Sequence, residues 1–275
     1  MELKKYENII TSQWGEDGII DEIFNRIGEG NKTCCEFGAW DGKHLSNCWN
    51  LWHNKSWKAI LIEGEKDRVE NLKKDLKDFP NVIPVLRFVE IEGKNSLDSI
   101  LDEVNQTETI DLLSIDIDSD DYAIFKSLKR KPRVVIIEYN PTIPPHIDLV
   151  QKPGWNLGNS VSATYKLAKE KGYKLAYLTY TNLILVADEE WDKLKINEVD
   201  YFKAFQYDKL TCVINTYQGD TLLSQPMPYN AGYLEPINTS IKHAIKQKIN
   251  KKGNDIVIQE FESNGNIVPC KILKK

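Results

Sequence analysis

A repeated change of hydrophobic period between residues 33 and 137 constrains this chain more than any other feature. Short β-rich runs, 33–37, 59–62, 82–89, 110–115 and 134–137, alternate with stretches whose apolar residues recur at helical spacing, around 47–53, 67–76, 97–104 and 122–128. Such alternation predicts strands joined by crossover helices, which is a mostly parallel sheet with helices on both faces. Near-continuous apolar runs such as Val134-Val135-Ile136-Ile137 fit strands buried on both sides. An opening helix is predicted from the spacing of Ile19, Ile20, Ile23, Phe24 and Ile27, ended by Gly28 and Gly30. A further helix over 161–171 ends at Gly172 and feeds runs at 173–178 and 183–187, separated by a turn at Thr181-Asn182. Two adjacent closing strands predict an antiparallel hairpin at the sheet edge.

Beyond about Trp191 the alternation fades. Residues 1–190 are therefore expected to form the sheet domain, and 191–275 a C-terminal extension. Within the extension, 207–236 is irregular, 242–252 reads as a basic helix with a solvated face, and 255–261 with 267–273 reads as a terminal hairpin.

Charge and composition exclude several partners. A net charge of -5 and a pI near 5.6 give no broad positive field for nucleic acid. The basic start, MELKKYENII, runs into the polar TSQWGEDG, and no apolar stretch approaches the roughly twenty residues that span a bilayer. No membrane partner and a cytoplasmic location are expected. The five cysteines contain no Cys-x-x-Cys pair, so zinc is not expected, and Cys34 and Cys35 read as small apolar fillers of a buried strand. Four Asn-x-Ser/Thr triplets matter only in a secreted protein.

In an open parallel sheet, ligands sit outside the carboxyl ends of the strands. The first such loop reads Glu36-Phe37-Gly38-Ala39-Trp40-Asp41-Gly42. Its two glycines let a backbone approach a ligand, or simply form a turn, whereas Glu36 and Asp41 repel phosphate. A ligand carrying an ammonium and a sulfonium suits it better, since carboxylates pair with the first and the face of Trp40 attracts the second. Glu63, at the end of the second strand, is placed to accept both hydroxyls of an adenosine ribose. NAD-binding chains share that acid, but their Gly-x-Gly-x-x-Gly is absent here. Glu90 or Glu92 reads as a contact to an adenine amino group or as a solvated acid.

Taken as an ordered set, SQWGED (12–17), EFGAWDG (36–42), LIEGE (61–65), DLLSIDID (111–118) and GYKLAYLTYTNLILV (172–186) resemble the FkbM-like branch of S-adenosylmethionine-dependent methyltransferases. The resemblance covers residues 12–187. It implies a Rossmann-like class I methyltransferase sheet of seven strands with S-adenosyl-L-methionine as cosubstrate. Glu36, Gly38, Ala39, Trp40 and Asp41 would hold the methionine part, Glu63 the ribose, and Asp116 and Asp118 would lie beside the methyl group. It also implies a small hydroxyl acceptor, a sugar or sugar nucleotide of surface-polysaccharide biosynthesis, with the extension contributing to its pocket. Two positions depart from the family. Its usual Asp-Val-Glu-Gly is Asp116-Ile117-Asp118-Ser119 here, and its Glu-Pro is Glu63-Gly64.

Methyl transfer to an alcohol requires alignment of the acceptor and removal of its proton. Asp118, Glu138 and His146 are the candidate bases. Alternatively Asp118, Glu138 and Asn140 would ligate Mg²⁺ or Mn²⁺, hard ions that prefer oxygen. Asp120 and Asp121 read as acids at a helix start, and Asn159 and Ser160 as caps of the helix that follows. Glu138 ends an apolar strand, where a carboxylate needs a partner. Two rival readings are an NAD-dependent oxidoreductase and a non-catalytic binding module on a degenerate fold of this type.

Overall fold

The seven apolar runs pair into one sheet: β1 Thr33–Phe37, β2 Lys58–Glu63, β3 Val82–Leu86, β4 Leu112–Ile115, β5 Val134–Glu138, β6 Tyr173–Leu178 and β7 Asn182–Ala187. Their order is β3-β2-β1-β4-β5-β7-β6. β1 to β5 run parallel, and β7 lies antiparallel to both β5 and β6. The expected Rossmann-like sheet with its closing hairpin is thus present. β1, β4 and β7 are buried along their whole length, as strands covered on both faces must be. The computed structural model describes residues 1–117, 120–152, 155, 157–211, 213–215, 217, 221–223, 256–258 and 271–273. It forms two compact units, Met1–Phe205 and Gln206–Lys275.

In the first unit the helices are α1 Glu16–Ile27, α2 Lys66–Asp75, α3 Leu97–Glu103, α4 Asp121–Ser127, α5 Val161–Glu170, α6 Asp188–Leu194 and α7 Tyr201–Ala204. α1 buries the apolar stripe that predicted it, Ile19, Ile20, Ile23, Phe24 and Ile27, with Phe24 edge-on to Trp57. The stretch expected as a helix around 47–53 is instead a π-helical turn, Asn50–Asn54, with Leu51 and Trp52 buried. The unit continues past the expected boundary at residue 190, because α6 packs on α1 and Trp191, Leu194 and Phe205 are buried. Cys34, Cys35 and Cys48 are buried free thiols, the first two on β1 as expected. In the second unit, β8 Val213–Asn215 pairs with β9 Thr221–Leu223, and β10 Ile256–Ile258 with β11 Lys271–Leu273. The β10–β11 pair lies within the two runs expected to form the terminal hairpin; the basic helix expected at 242–252 lies outside the described residues. Among the described residues no helix is long and apolar enough to cross a membrane.

The amino edge of the sheet is held by one arginine. Arg133, just before β5, donates to the buried Asp111 at 2.8 Å, to Glu190 of α6 at 2.9 Å, and to the carbonyls of Ile27 and Gly28 at the end of α1. The other oxygen of Asp111 accepts from the Thr33 amide at 3.0 Å, so a single ion pair registers β1, β4 and β5 with two helices. Asp111 is fully buried, and removing its partner strands a charge away from water. Arg133→Ala is therefore expected to destabilise the first unit by about 3–5 kcal/mol in urea unfolding. A loss below about 1 kcal/mol, the range of exposed pairs, would show the clamp to be dispensable.

Candidate functional site

The strand order reverses between β1 and β4, where the chain has gone one way to β2 and β3 and returns on the other side. Loops leaving these two carboxyl ends diverge and open the crevice in which such sheets bind ligands. Gly38 stands at its base with φ +79°, and a Cβ there would lie 2.0 Å from the Asp116 carbonyl oxygen. The glycine is thus required by the neighbouring backbone, whatever lies above it. Replacing it would therefore disturb the packing of β1 against β4 as well as any ligand above it. The Gly38 and Ala39 amides both donate to the Ile62 carbonyl at 3.1 Å, and Ala39 is buried in the core. Asp116 is exposed at the end of β4, whereas Asp118 lies outside the described residues.

The expected ammonium ligand, Glu36, faces inward. Its carboxylate accepts from the Ser46 hydroxyl and from the Asn47 amide at 2.8 Å, and Asn47 in turn donates to Ser114 on β4. Glu36 therefore fastens the loop after β1 onto the sheet. Asp41, also expected at the ligand, is exposed and closes a turn by accepting from the Lys43 and His44 amides at 2.9 and 2.7 Å.

Glu63 is buried at the end of β2, reaching across to the same loop. One oxygen accepts from the Trp40 amide and the other from the Glu65 amide, each at 2.9 Å. A carboxylate has about four acceptor positions, so these two bonds leave capacity for a diol. Trp40 is about half exposed, 48%, and its ring lies 4.1 Å from the Arg68 guanidinium carbon. That cation covers one ring face and restricts where a sulfonium could approach.

On the other side of β4, Glu138 is half-buried at the last position of β5, opposite Asn182 in register. Asn140, expected as a metal ligand, is consumed locally: its oxygen accepts from the amide and hydroxyl of Thr142, and its amide donates to Leu157. Of the expected metal trio, Asp118 lies outside the described residues and Asn140 is committed to Thr142 and Leu157, and among the described residues no group of three His, Cys, Asp or Glu side chains could hold an ion. His146 is exposed in the loop after β5. Ser160 caps α5 as expected, accepting from the Ala163 amide, while Asn159 binds the Gln151 amide instead. Asp121 folds back onto the Ile117 amide at 2.9 Å; Asp120 holds the N-cap position without a side-chain cap bond.

Sequence reasoning gave the segment before α1 no place in the site, and the structure puts it on the carboxyl edge. Asp17 accepts from the amides of Ile10, Thr11 and Ser12, curling the segment into a strap. The strap meets the β1 loop through the Thr11–Ser46 bond and a bridge between Ser12 and Leu45. Its other end meets the β6–β7 turn, where Trp14 donates to Thr181 and Glu16 accepts from Asn182. The adjacent acids Glu16 and Asp17 before the apolar stripe of α1 were the available signal, and both are fully buried.

No family model matches the chain, and no curated protein matches it. Among solved structures it is similar to the N-terminal domain of EvdMO1, crystallised with SAH and D-fucose, at 10% identity over 62% of this chain and 82% of that one, TM-score 0.44. It is also similar to a SAM-dependent methyltransferase from Aquifex aeolicus, at 14% identity over 68% and 96%, TM-score 0.39. A third is TrmK of M. capricolum in complex with S-adenosyl-homocysteine, at 15% identity over 83% and 86%, TM-score 0.41.

Burial pushes the Glu36 carboxyl up to about 7, against the opposing hydrogen bonds from Ser46, Asn47 and Ser114. Between the ordinary value of 4.5 and about 7 the native state holds a proton that the unfolded chain has lost. Stability is accordingly expected to fall as pH rises through this window and to level off above it, by up to about 3 kcal/mol. Glu36→Gln removes the titration, so urea unfolding at pH 5 and pH 8 should show a flatter pH dependence in the variant. Identical slopes would mean that Glu36 is ionised throughout.

Proposed function

We propose that this chain is an S-adenosylmethionine-dependent methyltransferase acting on a hydroxyl of a small acceptor, a sugar or sugar nucleotide. The observation that carries the reading is Glu63: a buried acid at the end of β2, beside the strand-order reversal, with acceptor capacity left after its two backbone bonds. When bound, the cosubstrate supplies a methyl group already activated on a sulfonium. The chain's own residues do the rest. Glu63 accepts from the ribose hydroxyls, the Gly38 turn shapes the floor, and Glu36 keeps the β1 loop in place without touching ligand. Glu138, half-buried on the neighbouring strand, takes the proton that the acceptor hydroxyl loses, with the exposed His146 as the weaker candidate.

A dinucleotide fits this loop poorly. Its pyrophosphate needs a helix N-terminus directly after β1, and here the first helical turn begins only at Asn50.

Calorimetry with S-adenosylhomocysteine tests the cofactor side. Glu63→Gln should weaken binding by about ten- to a hundredfold, the effect of about 1.5–3 kcal/mol for hydrogen bonds to a charged group. Unchanged affinity removes Glu63 from the site, and no binding by the unaltered chain removes the function. On the acceptor side, Glu138→Gln should lower turnover by about a hundredfold or more while cofactor affinity stays within a few-fold. Turnover should survive EDTA, because Asn140 is committed elsewhere; loss on chelation with recovery in Mg²⁺ would make Glu138 a metal ligand instead.

A further inference from the structure

Trp14 is 37% exposed yet held on three sides. Its indole N–H donates to the Thr181 hydroxyl at 3.0 Å, its amide to the buried Glu16 at 2.7 Å, and its ring meets Tyr180 edge-on, centroids 5.2 Å apart. Those anchors fix its place. The Thr181 carbonyl accepts from the Tyr139 amide at 2.7 Å, and Asn182, held by Glu16, pairs in register with Glu138. Trp14 therefore stands on the β6–β7 turn, at the point where that turn pairs with the end of β5 and with the group assigned to the acceptor proton. At the same corner the buried Asn182 Oδ1 has no hydrogen-bond partner among the described residues.

A single exposed indole is ordinary on a protein surface. This one belongs to a pattern. In the first unit, every exposed large apolar side chain except Met1 and Phe202 lies on the strap or on a loop following β1, β3 or β5. Apolar exposure gathered on one edge, around a few convergent polar groups, marks a ligand surface. A rigid aromatic face next to a base suits a ring that is apolar on one face and hydroxylated at its rim, as a pyranose is.

We propose that the exposed face of Trp14 is the platform of the acceptor subsite, and that it selects carbohydrate rings by stacking. The proposal rests on the methyltransferase reading for the task of Glu138 but not for the stacking. In saturation-transfer NMR on the full chain, with UDP-glucose, GDP-mannose and dTDP-rhamnose as probes, sugar-ring protons of at least one probe should be saturated. Trp14→Ala should weaken that signal by about tenfold, and Trp14→Phe, which keeps a flat ring, should retain much of it. S-adenosylhomocysteine affinity, measured in parallel by calorimetry, should stay within about twofold in both variants, as an acceptor-side role requires. Absence of sugar-ring saturation in the unaltered chain, or equal saturation in Trp14→Ala, overturns the proposal. Joint loss of sugar and cofactor binding in both variants also overturns it, since Trp14 would then only hold the strap. Failure of the unaltered chain to bind S-adenosylhomocysteine overturns the methyltransferase reading and leaves the sugar result to be judged alone.

Discussion

One buried carboxylate decides whether this sheet has a site at all. Glu36 sits one residue before the end of β1, away from water, and accepts from the Ser46 hydroxyl and the Asn47 amide. Through Asn47 the contact extends to Ser114 on β4, across the line where the strand order reverses. Burying a carboxyl is costly, and the cost is met here by keeping it hydrogen-bonded and lifting its proton affinity toward neutrality. Everything above it depends on that anchorage. The Gly38 turn, the Trp40 amide that reaches Glu63, and the point where the strap joins all lie on the loop that Glu36 holds down.

The two edges of the sheet use charge in opposite ways. At the amino edge, Arg133 pairs closely with Asp111 and with Glu190 and ties strands to helices, which is a purely mechanical arrangement. At the carboxyl edge, Glu63 is bonded to backbone amides and not to a full countercharge, since the nearest guanidinium nitrogen of Arg68 is 3.8 Å away. An acid held by amides keeps lone pairs for a ligand; an acid locked in a close ion pair has fewer to offer. That difference separates Asp111 from Glu63 more clearly than their burial does.

The strands were legible from period and composition because a sheet covered on both faces leaves little room for anything but apolar runs. The strap was not, because residues 8–15 carry no periodicity and their partners lie far along the chain. The orientation of loop acids is hidden for a related reason. The sequence shows that Glu36 and Asp41 are acidic but not which way they point, and the Ser46 and Lys43 partners that settle the matter are ordinary loop residues. Glu63 was easier, since the end of a parallel strand already determines the edge on which its side chain stands. Asn140 reads as a ligand until Thr142, two residues on, is seen to occupy it.

The contact between Trp14 and Thr181 joins residues 167 apart in the chain. Closing a contact of that separation costs chain entropy before any packing repays it. Because synthesis runs from the amino end, α1 and the first strands are available well before the β6–β7 turn exists. The rim of the site is therefore among the last parts to assemble, and until the turn arrives the indole that completes it has no place to dock.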